Sequence, residues 1–81
     1  MRSKKETLEI VGQRIRMARI YKGLSQAGLA EKTGTKQSGI SRAETGKYSF
    51  TVEYLLKIAN GLDMDLMLPN FVDKTNERRN D

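Results

Sequence analysis

Residues 24–46 read LSQAGLAEKTGTKQSGISRAETG, and this stretch decides the fold. Ser25 is a short hydroxyl side chain placed to accept from the free N–H groups at the start of a helix, and Gly34 can take the left-handed conformation that ends one. Thr35, directly after that glycine, is placed to cap a second helix. Ala30 precedes the glycine and Ile40 follows it, so a small residue faces the crossing while an aliphatic one fills the angle between the helices. Helices spaced in this way must cross closely. The stretch is therefore read as two short helices and a tight turn, the second helix covering about 35–45 and free to project.

Working outward, residues 1–7 (MRSKKET) are polar and basic and read as a flexible N-terminus whose Lys4 and Lys5 are available to phosphate. A first helix runs from about 6 to 21, with Leu8, Val11, Ile15 and Ala18 recurring at three- and four-residue steps as its core stripe, and stops at Gly23. Beyond the motif, residues 45–50 form a loop. Thr51, with Glu53 close behind, opens a fourth helix that buries Val52, Leu55, Leu56, Ile58, Ala59 and Leu62. Past Gly61 the texture changes. Residues 64–68 (MDLML) alternate partly before Pro69 and read as a short strand, with a fifth helix as the alternative. A lone strand leaves backbone donors and acceptors unpaired along both edges unless another strand supplies them. The same segment of a second copy is the obvious partner, which makes Met64, Leu66 and Leu68 the expected dimer interface. Residues 70–81 (NFVDKTNERRND) carry little apolar content beyond Phe71 and Val72 and read as a flexible polar tail. The fold class is all-α, a compact four-to-five-helix domain over 8–69.

Composition narrows the function. The 81 residues leave room for one domain whose core is small, so dimerisation is expected. Lys and Arg number 15 against 10 Asp and Glu, a formal charge of +5 with a sequence pI near 9.8, which favours a polyanionic partner. Lys36, Arg42 and Lys47 gather at the end of the motif that would face it. The absence of Cys and His excludes disulfides, thiol nucleophiles, imidazole bases and the usual zinc ligands, so no enzyme activity, metal or cofactor is expected. No apolar run of about 18 residues and no signal-peptide core is present, so the expected location is the cytoplasm, at the nucleoid, with no membrane partner.

The residue types of the motif suit double-stranded DNA. Gln26 opens the first motif helix, where its amide and the helix N-terminus can hold phosphate. Lys36, Gln37, Ser38, Ser41 and Arg42 occupy the first turns and exposed face of the second. The Gln37 amide can both donate to and accept from adenine, Arg42 can bridge guanine O6 and N7, and the hydroxyls of Ser38 and Ser41 are permissive. Lys36 and Lys47 suit phosphate. Gly28 and Gly39 stand inside the motif helices at a cost of about 0.5–1 kcal/mol each against alanine, which points to a marginal domain that leans on a partner or on DNA.

The spaced set Arg19, Gly23, Leu24, Ser25, Gln26, Leu29, Ala30, Gly34, Lys36, Gln37, Ser38, Ile40, Ser41, Arg42, Glu44, Gly46, Leu55, Ile58, Ala59 and Leu62 resembles the Cro and phage-repressor (xenobiotic-response-element) helix-turn-helix family over residues 11–62. The resemblance implies a lambda-repressor-like domain and a sequence-specific transcriptional repressor that binds an inverted-repeat operator as a homodimer. It implies that Gln26 and Gln37 are the family's paired glutamines, packed on each other at the groove. It further implies that Arg19 and Glu44 form a structural ion pair between the first helix and the end of the recognition helix. Ala43 departs from the larger apolar residue the family carries there. The small size, residues 64–68 and the tail resemble HipB-like and HigA-like antitoxins, which implies a toxin partner. Phage Cro-like repressors and restriction–modification controllers share the DNA site without a toxin. A protein-binding adaptor with no DNA role is the reading from a different class.

Overall fold

Ser3 opens the first helix. Its hydroxyl accepts from the Glu6 N–H at 3.1 Å while the Glu6 carboxylate accepts from the Ser3 N–H at 2.9 Å, a reciprocal capping box that satisfies two helix-terminal donors. The computed structural model, which describes residues 1–66, accordingly begins α1 (Lys4–Tyr21) two residues earlier than expected. Lys4 and Lys5 lie in its first turn and not in a free arm, and the boundary expected at residue 8 falls inside the helix. Helix α2 (Gln26–Thr33) starts where Ser25 Oγ accepts from the Gly28 N–H at 2.9 Å and ends at Gly34, whose φ of 69° is the left-handed region.

Thr35 does not cap the next helix. Its N–H donates back to the Ala30 carbonyl at 2.9 Å, closing the end of α2, and its hydroxyl lies 2.7 Å from that of Thr33. Helix α3 (Gln37–Glu44) therefore begins at Gln37, with Lys36 in the capping position and no side-chain cap. Helix α4 (Val52–Gly61) is capped by Thr51, whose hydroxyl accepts from the Tyr54 N–H at 3.0 Å.

Helix α3 packs on both α1 and α2, and α4 packs on α2. Leu29 and Ile40 are fully buried at the centre, surrounded by Ile15, Ala30, Ala43, Ile58 and Leu62. Each leucine or isoleucine side chain among them contributes about 1.5–3 kcal/mol on leaving water. Two helix glycines leave no room for a side chain where helices cross. A Cβ on Gly12 would come within 2.8 Å of the Glu44 carbonyl oxygen and closer still to that of Ala43, so α1 lies directly on the end of α3. A Cβ on Gly61 would meet Thr33 Cγ2 at 2.5 Å, where α4 crosses α2.

Two expectations for the C-terminal half are corrected. Val52 and Leu56, one helical turn apart, are 54% and 46% exposed, because α4 turns Ile58, Ala59 and Leu62 into the core. Residues 64–66 form no strand and no helix: the Met64 N–H donates to the Ala59 carbonyl at 2.9 Å and Asp63 takes a positive φ of 58°, so the chain turns sharply off α4. Among the described residues the fold is all-helical, with four helices and no strand. Leu68 and the tail over 70–81 lie outside the described residues.

Candidate nucleic-acid interface

The site is built on a buried polar network at the junction of three helices. Arg19, near the end of α1, donates from Nε to Glu44 Oε2 at 2.6 Å and from its second terminal nitrogen to Glu44 Oε1 at 3.0 Å. Its remaining terminal nitrogen donates to the Leu24 carbonyl at 2.9 Å, just ahead of α2. The fork geometry of arginine suits this bidentate arrangement. The two side chains are 11% and 2% exposed, so the pair is withdrawn from water. Hydrogen bonding to Glu44 raises the Arg19 pKa above the ordinary arginine value; desolvation opposes this, and the Glu44 charge adds to the rise. One pair thus ties α1, the entry to α2 and the end of α3 together.

Gln26, the first residue of α2, joins the same network. Its Nε2 donates to Glu44 Oε1 at 3.1 Å, and the side chain is half-buried. The packing of Gln26 on Gln37 that the resemblance implies is not made as a hydrogen bond; Glu44 takes the amide instead. On the outward face of α3, Gln37, Ser38 and Arg42 are exposed and Ser41 is half-buried, while Ile40 and Ala43 lock the inner face into the core. Lys36 and Lys47, at either end of α3, are exposed.

Sequence reasoning missed the aromatic support behind this face. The Tyr48 ring meets Phe50 edge-on at 6.0 Å and Tyr54 edge-on at 5.4 Å, and the Phe50 and Tyr54 rings stack at 6.3 Å. The Arg42 guanidinium lies over the Tyr48 ring, 6.0 Å from its centroid. The Tyr48 and Tyr54 rings floor a cleft of about 250 Å³ bordered by Lys36, Ser38, Gly39 and Arg42. The Tyr54 hydroxyl is buried without a hydrogen-bond partner, and a Cβ on Gly39 would sit 3.3 Å from it, so this glycine leaves room for the phenol. Burial raises the Tyr54 pKa, Tyr48 adds to the rise, and the nearby Thr35 side chain tempers it. The only signal in the sequence was three aromatic residues within seven positions of one loop and helix start.

Among the described residues no three His, Cys, Asp or Glu side chains are grouped to hold a metal ion, and no helix is long and apolar enough to cross a membrane. A helix-turn-helix (HTH_3) family model matches residues 15–67. The restriction–modification controller protein C.AhdI from Aeromonas hydrophila superposes with a TM-score of 0.73 at 37% identity, over 74% of this chain and 91% of that one. The controller C.Esp1396I gives 0.69 at 31% identity, over 72% of this chain and 74% of its own. A chain of the HipA–HipB–O2–O3 complex gives 0.64 at 26% identity, over 86% of this chain and 93% of that one. No curated protein sequence gives a significant match.

Proposed function

The chain belongs to the HTH_3 helix-turn-helix family of DNA-binding transcriptional regulators, and from that premise we propose that it is a homodimeric, sequence-specific repressor that reads an inverted repeat with α3. The observation that carries the reading is the contrast between the two sides of α3. Ile40 and Ala43 are wholly buried, whereas Gln37 and Arg42 stand in solvent. A helix clamped on one side and armed with base-reading side chains on the other can enter a major groove without rearrangement. Gln37 reads adenine, Arg42 reads guanine, and Ser38 and Ser41 supply adaptable hydroxyls. Gln26, Lys36 and Lys47 hold phosphates and set the register.

The twofold partner covers the face opposite the motif. There α1 and α4 border an apolar groove of about 380 Å³ lined by Val11, Ala18, Leu55, Ile58 and Leu62, with Met64 and Leu66 at its edge. On α4, Val52 and Leu56 add two exposed apolar side chains. Met64 and Leu66 therefore keep their assignment to the dimer interface, with Leu68 following them in sequence. Dimer half-sites lie about one helical turn, roughly 34 Å, apart. A regulator of this kind works in the cytoplasm, on the nucleoid, and needs no cofactor or catalytic group.

In vitro selection of duplexes bound by the purified chain tests the proposal. A palindrome with half-sites one turn apart is the expected product. Equal binding to random DNA and to the protein's own promoter overturns sequence-specific readout, and no salt-dependent affinity at all favours the adaptor reading.

Two finer roles compete. Identity of 31–37% to restriction–modification controllers favours a controller that sets the level of a restriction system. The match to the HipA–HipB–O2–O3 complex favours an antitoxin that represses its operon and also holds a toxin. The neighbouring reading frame separates them: an endonuclease or methyltransferase supports the first, and a kinase or ribonuclease that co-purifies on coexpression supports the second.

A further inference from the structure

The Glu44 carboxylate does more than complete an ion pair. Two of its three bonds go to Arg19, and the third, from Gln26 Nε2 at 3.1 Å, reaches a side chain on another helix at the proposed DNA surface. A carboxylate has no proton to give, so the nitrogen end of the Gln26 amide must face inward. The amide oxygen and the second N–H are then both directed away from Glu44, presenting one acceptor and one donor at fixed positions. Gln37 is exposed on the same surface and makes no such bond among the described residues. The two glutamines of the motif are therefore prepared differently, one held before DNA arrives and the other free to adapt.

We infer that Glu44 is a positioning residue for DNA binding, which acts by orienting the Gln26 amide toward the phosphate backbone. The inference rests on the reading of Gln26 as a phosphate contact. Holding a glutamine in its bound orientation removes the entropy otherwise lost on docking, an effect worth about three- to tenfold in affinity for one immobilised side chain. Arg19 takes part by fixing the carboxylate. Its bonds leave Glu44 a single orientation, and the Leu24 carbonyl bond places that orientation against the start of α2.

The test is a double-mutant cycle on DNA affinity, with the selected operator as probe. Replacing the whole pair, Arg19→Met with Glu44→Leu, removes both charges together, which buried pairs commonly tolerate. We expect this variant to melt cooperatively and to bind about three- to tenfold more weakly. The triple variant that also carries Gln26→Ala should bind as weakly as Gln26→Ala alone in the native background, with the two losses not multiplying. A double variant that binds like the native protein, or a triple variant whose loss is the product of the two separate losses, overturns the inference. Gln26→Ala with undiminished affinity in the native background removes the phosphate-contact reading beneath it.

A second measurement needs no variant. In free protein the Gln26 side-chain amide should show an NMR order parameter above about 0.6, with the exposed Gln13 and Gln37 below it. A Gln26 amide as mobile as that of Gln37 contradicts positioning whatever the binding data give.

Discussion

At the motif, charged and polar groups are buried and bonded to one another; on the α1/α4 face, apolar groups are left open to water. Glu44 and Arg19 are nearly free of solvent and hydrogen-bonded across helices, whereas Val52, Leu56 and Met64 are 54%, 46% and 41% exposed. Both arrangements are costly in isolation. Desolvating an ion pair requires good geometry to offset it, and an exposed apolar strip draws the chain toward association. The contrast teaches that the buried polar bonds gather at the junction behind α3, and that the exposed apolar side chains lie on the side the proposed dimer would cover.

The largest expected effect attacks the rigid side. Arg19→Met alone leaves the Glu44 carboxylate buried without its cation and should cost about 3–5 kcal/mol, lowering the Tm of a domain of this size by more than about 10 °C. The exposed Arg16→Met is the control, and an equal shift for the two variants would remove the pair from the account. Gly12→Ala comes next. Its methyl would press on the carbonyls of Ala43 and Glu44, backbone that cannot swing aside, so a loss of about 1–3 kcal/mol is expected in a urea titration. An unchanged midpoint would mean that α1 and α3 can part without cost.

The open face answers differently. Leu56→Glu alters a side chain that is 46% exposed in the single chain, so the fold should tolerate it, yet sedimentation should show a dimer dissociating to monomer. Persistence of a tight dimer would move the interface elsewhere. The smallest effect is at Tyr54. Burial raises its pKa, so its contribution to stability is fully present below about pH 10, the unfolded tyrosine value, and declines as pH rises toward the folded value. Tyr54→Phe removes a buried hydroxyl that has no partner, and should melt at or slightly above the native temperature while losing less stability at alkaline pH. A lower Tm at neutral pH would show that the hydroxyl is bonded after all.

The same contrast explains what was legible in the sequence. Ser25, Gly34 and Thr51 mark helix ends through bonds to residues a few positions away, so their types and spacing are sufficient. The Ser3–Glu6 box is equally local, but the positive charge of the segment that holds it argues for a free arm. Gly12 and Gly61 could not be read in this way. Each is a close approach between helices far apart in sequence, and nothing local distinguishes such a glycine from a helix weakener. Val52 and Leu56 fit the helical period of a core face, but period does not say whether the covering surface comes from the same chain. At the candidate site the outward residues of α3 followed from one helical turn and one buried Ile40, whereas the Gln26 bond spans 18 residues and appears only once the three helices meet.

The most direct test of which face meets DNA is an NMR titration of the labelled protein with the selected operator duplex. Shifts are expected to concentrate at Gln26, at residues 36–42 and at Lys47, with Ile58 and Leu62 in the α1/α4 groove responding only through the dimer. If the groove residues move on DNA binding while Gln37 and Arg42 stay fixed, the recognition helix has been assigned to the wrong surface.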